Sequence, residues 1–143
     1  MVQFFLSSHG HLASGLKSSI GVLLGGCDRL TVFDAYVDEG SLEDALNSFY
    51  REVGRDDQVI LLSDMYGGSV NSIMYTFLNR PNTTLIAGVN LALVIGLVIQ
   101  DRELTREEIE DVVRQSREAI QIVELDNAEQ SEGDEDLFRR AWF

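Results

Sequence analysis

Apolar and polar positions along the chain fall into short continuous runs separated by amphipathic stretches. Residues 2–6 are apolar apart from Gln3 and predict a buried first strand. Leu12, Leu16, Ile20 and Leu23 then recur at helical spacing until Gly25-Gly26, a stop signal. Residues 30–33 predict a second strand. Ser41 is placed to cap a helix whose inner face carries Leu42, Leu46, Phe49, Tyr50 and Val53, with Gly54 beyond it. Residues 59–62, Val-Ile-Leu-Leu, meet Ser63-Asp64 abruptly, the pattern of a strand buried on both faces. A third helix opens at Gly67-Gly68-Ser69, carries Ile73, Met74, Phe77 and Leu78, and is closed by Asn79-Arg80-Pro81-Asn82. Residues 83–89 predict a fourth strand and residues 91–99 a helix that is apolar all round, hence buried in the chain or at a subunit contact. Thr105 and Glu108 form a capping box for a last helix bearing Ile109, Val112 and Val113.

This alternation predicts an α/β fold: a three-layer sandwich with a mainly parallel, doubly wound sheet of four strands and right-handed crossovers. Residues 119–123 are a candidate fifth strand. The expected domain spans residues 1–125, followed by a mobile acidic tail over 126–143. Between 124 and 143 seven acids and two arginines follow no clear period.

With 143 residues, 45% of them hydrophobic and 24% charged, the chain has room for one globular domain. The balance of 24 Asp+Glu against 11 Lys+Arg gives a net charge of −13. No basic run is present, which argues against binding nucleic acid or an anionic membrane surface. The single cysteine, Cys27, has no partner for a disulfide within the chain and is expected to be a packing residue. No basic, apolar, cleavable leader opens the sequence. The longest apolar stretch, residues 85–99, is shorter than the roughly 18–20 residues of a membrane span and is interrupted by Gly88, Asn90 and Gly96. A cytoplasmic protein is expected.

In parallel α/β sheets, sites gather at the carboxyl ends of the strands. His9 follows strand one, and Asp64 follows strand three in the equivalent place. If those strands are neighbours, the two side chains meet. A carboxylate on one imidazole nitrogen fixes the tautomer and frees the other as a nucleophile or base. Gly67 and Gly68 allow close approach to the backbone, N–H groups at the helix start suit a phosphoryl group, and Ser69 adds a hydroxyl. Each feature alone has an ordinary explanation as a surface histidine, an N-cap or a turn; their joint placement makes the site. His11 is read as a helix-start residue facing solvent or the site rim, and Asn90 as a candidate site-wall residue. Three rival constellations are weaker. Residues 10–18 resemble a phosphate loop with one residue too many before Lys17. Ser69 with His9 and Asp64 suggests a hydrolase triad, but Asn71 stands where a nucleophile elbow needs glycine. His9 and His11 lack the usual spacing of metal ligands. No cofactor or metal is expected.

Ser8-His9-Gly10, Asp64-Met65-Tyr66-Gly67-Gly68-Ser69 and Gly88-Val89-Asn90-Leu91, each after an apolar strand and in this order, resemble the mannose-family IIA component of the bacterial phosphoenolpyruvate-dependent sugar phosphotransferase system. The resemblance covers roughly residues 1–124. It implies that His9 accepts a phosphoryl group from phospho-HPr and passes it to a IIB partner, and so indirectly to the membrane permease complex. It further implies that Asp64 orients His9 and that Gly67, Gly68 and Ser69 border the phosphoryl group. A homodimer exchanging a C-terminal strand is implied as well, residues 119–123 being the matching segment. Typical members carry proline where this chain has Val70 and Ala92, departures that bear on subgroup and sugar. Two other functions share this pattern: phosphoryl donor to dihydroxyacetone kinase, and a phosphorylation-dependent regulatory module.

Overall fold

The computed structural model describes residues 1–125. Strands β1 (Val2–His9), β2 (Leu30–Ala35), β3 (Gln58–Ser63) and β4 (Thr83–Ala87) alternate with helices α1 (Leu12–Leu24), α2 (Leu42–Glu52), α3 (Ser69–Tyr75) and α4 (Leu91–Val98), and α5 (Arg106–Glu118) follows. The sheet is parallel throughout, in the order β2-β1-β3-β4. The chain therefore leaves β1 toward β2 and then crosses back to place β3 on the other side. That reversal makes the β1/β3 boundary the switch point where an open α/β sheet offers a crevice.

Alternation along the strands divides the interior into two cores. Phe4, Leu6, Ile60 and Leu62 face a layer that includes Ala13 and Ile20 of α1, Leu93–Val98 of α4 and Ile109 of α5. Phe5, Val59 and Leu61 face Leu46 and Phe49 of α2 and Val70 and Met74 of α3. Every residue of β3 is buried, so its sequence shows a continuous apolar run instead of alternation. The expected α/β sandwich with a four-stranded parallel sheet is the architecture found.

Local signals set the element ends. Gly25, at φ 79°, closes α1 in the left-handed conformation. Ser41 accepts from the Asp44 N–H at the start of α2, and Thr105 and Glu108 form the reciprocal capping box of α5. Arg102 lies against Glu108 and, with the Thr105 N–H, holds that carboxyl down at a pKa of about 2. Gln58, buried at the start of β3, donates to the Leu104 carbonyl and accepts from the Leu104 N–H, both at 2.8 Å. The connection into α5 is thereby pinned to the sheet. No described helix is long and apolar enough to cross a membrane.

Two expectations need correction, and an alternative left open for α4 is decided. β1 runs past residue 6 to His9 because its serines find partners: the Ser7 hydroxyl donates to the Phe33 carbonyl at 2.6 Å, and the Ser8 hydroxyl accepts from the Ala13 N–H at 2.8 Å. The apolar surface of α4 is covered within the chain by the sheet, α1 and α5, the first of its two expected placements. Residues 119–123 are not a strand here. Ala119 caps α5, and the residues after it join no ladder, leaving Ile120, Ile122, Val123 and Leu125 at least 75% exposed. A strand needs a free edge beside it, and α5 delivers this segment to none in its own chain. The expected tail at 126–143 lies outside the described residues.

Candidate functional site

β1 and β3 are neighbours, and their ends bring His9 and Asp64 together. The Asp64 carboxylate oxygen Oδ2 accepts from the His9 backbone N–H at 2.8 Å and from the ring Nδ1 at 2.7 Å. The other oxygen, Oδ1, accepts from the Met65 N–H at 3.0 Å. Burial favours the neutral acid, but the hydrogen bonds from the His9 backbone and ring outweigh it and hold Asp64 below the usual carboxylate range. An ionised carboxylate only accepts, so Nδ1 carries the ring proton and Nε2 presents a lone pair.

Nε2 lies 3.1 Å from the Ser69 hydroxyl, which therefore donates to it. Ser69 opens α3 directly after Gly67-Gly68. Gly67 holds φ 76°, open to glycine at little cost. At Gly68 a Cβ would stand 2.9 Å from the Met65 side chain and 3.5 Å from the His9 ring, so a larger residue would crowd the loop under the imidazole. The His9 side chain remains 44% exposed, within reach of a protein-sized reactant. All five candidate residues, His9, Asp64, Gly67, Gly68 and Ser69, thus meet at one strand end.

One residue behaves otherwise than expected, and two were not foreseen. Asn90 is no site wall: its side chain accepts from the Leu93 N–H at 2.8 Å as the cap of α4 and donates to the Ser116 carbonyl at 3.1 Å. His11 stands at the start of α1 with its side chain exposed, as expected, and has its own carboxylate, with Nδ1 3.0 Å from Asp34 Oδ2. Asp34 also receives the Ser14 N–H at 3.0 Å and the Ser14 hydroxyl at 2.6 Å. Burial opposes its charge, but these bonds and His11 keep its pKa below the ordinary value. Tyr36 lies over His9, with ring centroids 5.2 Å apart, and its hydroxyl donates to Ser69 at 2.7 Å. Sequence offered no signal for the part either Asp34 or Tyr36 plays, because both are placed by the pairing of β2 with β1.

Asp64, His9 and Ser69 in a row would serve either of two chemistries. One is a triad in which histidine activates the serine; the other is a phosphoacceptor histidine with a serine beside the incoming group. Comparison with known proteins bears on the choice. Residues 3–116 match the EIIA-man family, described as PTS system fructose IIA component. The chain belongs to this family. It is a phosphotransferase component, an EIIA phosphocarrier domain that receives and transfers phosphoryl groups in the sugar phosphotransferase system.

Individual relatives agree with the family. A crystal structure from Klebsiella pneumoniae subsp. pneumoniae, of a protein assigned as a phosphoenolpyruvate-dependent sugar phosphotransferase system permease, is 31% identical. It covers 85% of this chain and 90% of its own, with a TM-score of 0.76. The mannose/sorbose-specific IIA subunit of Enterococcus faecalis shares the fold at 21% identity, with a TM-score of 0.75 over 86% of this chain and 95% of its own. The fructose-specific EIIA component of Bacillus subtilis (strain 168) is 21% identical over 126 residues, 85% of this chain and 86% of that protein. Where family members typically carry proline, Val70 is wholly buried in the core under α3. That departure affects packing and leaves the five site residues in place.

Proposed function

We propose that His9 is the residue this phosphocarrier uses, taking a phosphoryl group on Nε2 and passing it on. The observation that carries the reading is the Nδ1 contact to Asp64 at 2.7 Å, which leaves the Nε2 lone pair at an exposed strand end beside a hydroxyl. In the transfer, Nε2 attacks phosphorus in line as the donor's phosphorus–nitrogen bond breaks, and that bond's electron pair returns to the donor imidazole. The Nδ1 proton stays with His9, and Asp64 balances the positive charge that develops on its ring. Onward transfer is the same step reversed onto a partner's histidine. Ser69 and the Gly67-Gly68 backbone border the phosphoryl group.

The family resemblance supports phospho-HPr as donor and a IIB component as acceptor, with the permease complex served indirectly in the cytoplasm. Tyr36, Val37, Met65 and Tyr66 on the loops, and Leu12 at the start of α1, lie exposed at this end of the sheet and offer apolar surface for docking. The overall charge of −13 favours donors with basic faces. Residues 119–123, mostly apolar and unpaired in one chain, fit exchange onto the sheet edge of a second copy in a homodimer.

The test is intact-mass spectrometry after incubation with phosphoenolpyruvate, enzyme I and HPr. One added phosphoryl group, lost in acid and absent from His9→Ala, is the expected result. Unchanged mass with donors active on a control carrier, or labelling retained by His9→Ala, refutes the assignment. A monomer across micromolar concentrations in gel filtration refutes the exchanged dimer.

A further inference from the structure

The structure assigns Tyr36 as a further positioning residue of the phosphoryl site, an inference that rests on the reading of His9 as acceptor. Tyr36 follows the last residue of β2, Ala35, which is the register partner of His9, so it emerges beside the acceptor. Its backbone takes φ 64°. Bulky residues rarely adopt that conformation, and such outliers gather at functional sites. The Gly10 N–H, bonded to the Ala35 carbonyl at 2.9 Å, anchors the chain just before this turn. The turn brings the phenol ring across the imidazole face, 31° from coplanar with it. Meanwhile the ring stays 62% exposed, so burial of the side chain is not what holds the strained conformation.

The hydroxyl shows what the conformation is for. Tyr36 donates to Ser69, Ser69 to His9 Nε2, and His9 Nδ1 to Asp64. All three protons point the same way along one chain. Because Tyr36 occupies the Ser69 oxygen from outside, the serine proton is directed at Nε2 and the lone pair is held facing the serine. Once Nε2 bonds phosphorus it no longer accepts, and the Ser69 hydroxyl needs a new acceptor while its oxygen still takes the Tyr36 proton. A phosphoryl oxygen supplies it where Nε2 did before. Tyr36 thus orients the acceptor before transfer and, through Ser69, the phosphoryl group after it.

Three variants separate the parts. Tyr36→Phe keeps the ring, Tyr36→Gly removes the side chain at a backbone angle glycine prefers, and Ser69→Ala removes the middle hydroxyl. Each is charged from phospho-HPr, and the rate of uptake and the lifetime of the phosphohistidine are followed by intact mass. Nitrogen NMR of the His9 ring reads the hydrogen bond at Nε2 without any phosphorylation. Tyr36→Phe is expected to slow uptake about tenfold, the effect of one lost hydrogen bond near a charge, and to shift the Nε2 resonance. Adding Tyr36→Phe to Ser69→Ala is expected to cost nothing further, because the two act through one chain. Wild-type charging on His9 with Tyr36→Phe equal to it in rate, lifetime and Nε2 shift overturns the assignment of Tyr36 alone. Multiplying effects in the double variant overturn the relay. Failure of the wild type to be charged on His9 overturns both readings together.

Discussion

Two histidines, two residues apart, each hold a carboxylate through Nδ1, at 2.7 Å for His9 and Asp64 and 3.0 Å for His11 and Asp34. By that criterion alone they are equivalent. What differs is the rest of each pair. Asp64 devotes one oxygen to the backbone and ring of His9, and beyond the ring stands the Ser69 hydroxyl, aimed at its free nitrogen and itself accepting from Tyr36. Asp34 instead gathers the N–H and hydroxyl of Ser14, tying the first turn of α1 to β2, and the His11 side chain lies 75% exposed. The lesson is that a carboxylate fixes a tautomer, while only a pair with a donor at the opposite nitrogen fits the phosphoryl site proposed above. On that reading one pair serves chemistry and the other holds a helix.

The sharpest break of the comparison is to delete each ring. His9→Ala should abolish phosphorylation and His11→Ala should leave it near wild type, both read by intact mass. Exchanging the carboxylates comes next. Asp64→Asn should slow uptake on the order of a hundredfold, as losses of electrostatic stabilisation do, with phosphoryl transfer kinetics as the measure. Asp34→Asn should leave transfer intact and cost about 1 kcal/mol of stability, the scale of a lost helix cap, measured by urea unfolding. Acid is the mildest probe. Both carboxylates have pKa values lowered from the ordinary 3.8. Their stabilisation is therefore complete above that value and lost as pH falls through the lower folded values. Stability should decline below pH 3.8, and each Asn variant should flatten that decline in unfolding curves taken across the acid range.

Much of this was legible in the sequence, and the exceptions share a cause. Strands whose apolar runs are buried on both faces, and helices closed by Gly25 or opened by Thr105, carry local signals, so the sandwich could be read directly. His9 and Asp64 could be placed because strand ends are positions that topology makes meaningful, given only that β1 and β3 adjoin. Ser7 and Ser8 were not seen as strand, since their polarity suggests a turn until their long-range partners are known. Asn90 suggested a binding role because a capping side chain and a ligand-facing one look alike in sequence. Tyr36 and Asp34 depend on β2 lying beside β1, a fact with no local signature. Residues 119–123 have the composition of a strand and lack only an edge to join.

The bond from the His9 amide to Asp64 reaches beyond the reaction. At this point the last rung between the two central strands is made by a side chain, not by a backbone carbonyl. The same oxygen that steadies the imidazole also fastens the end of the sheet. Hydrogen exchange at that one amide should therefore follow the state of the carboxylate, slow while it is ionised and faster once protonated or replaced. The molecule carries a built-in reporter of its own readiness, visible in a backbone signal with no substrate added.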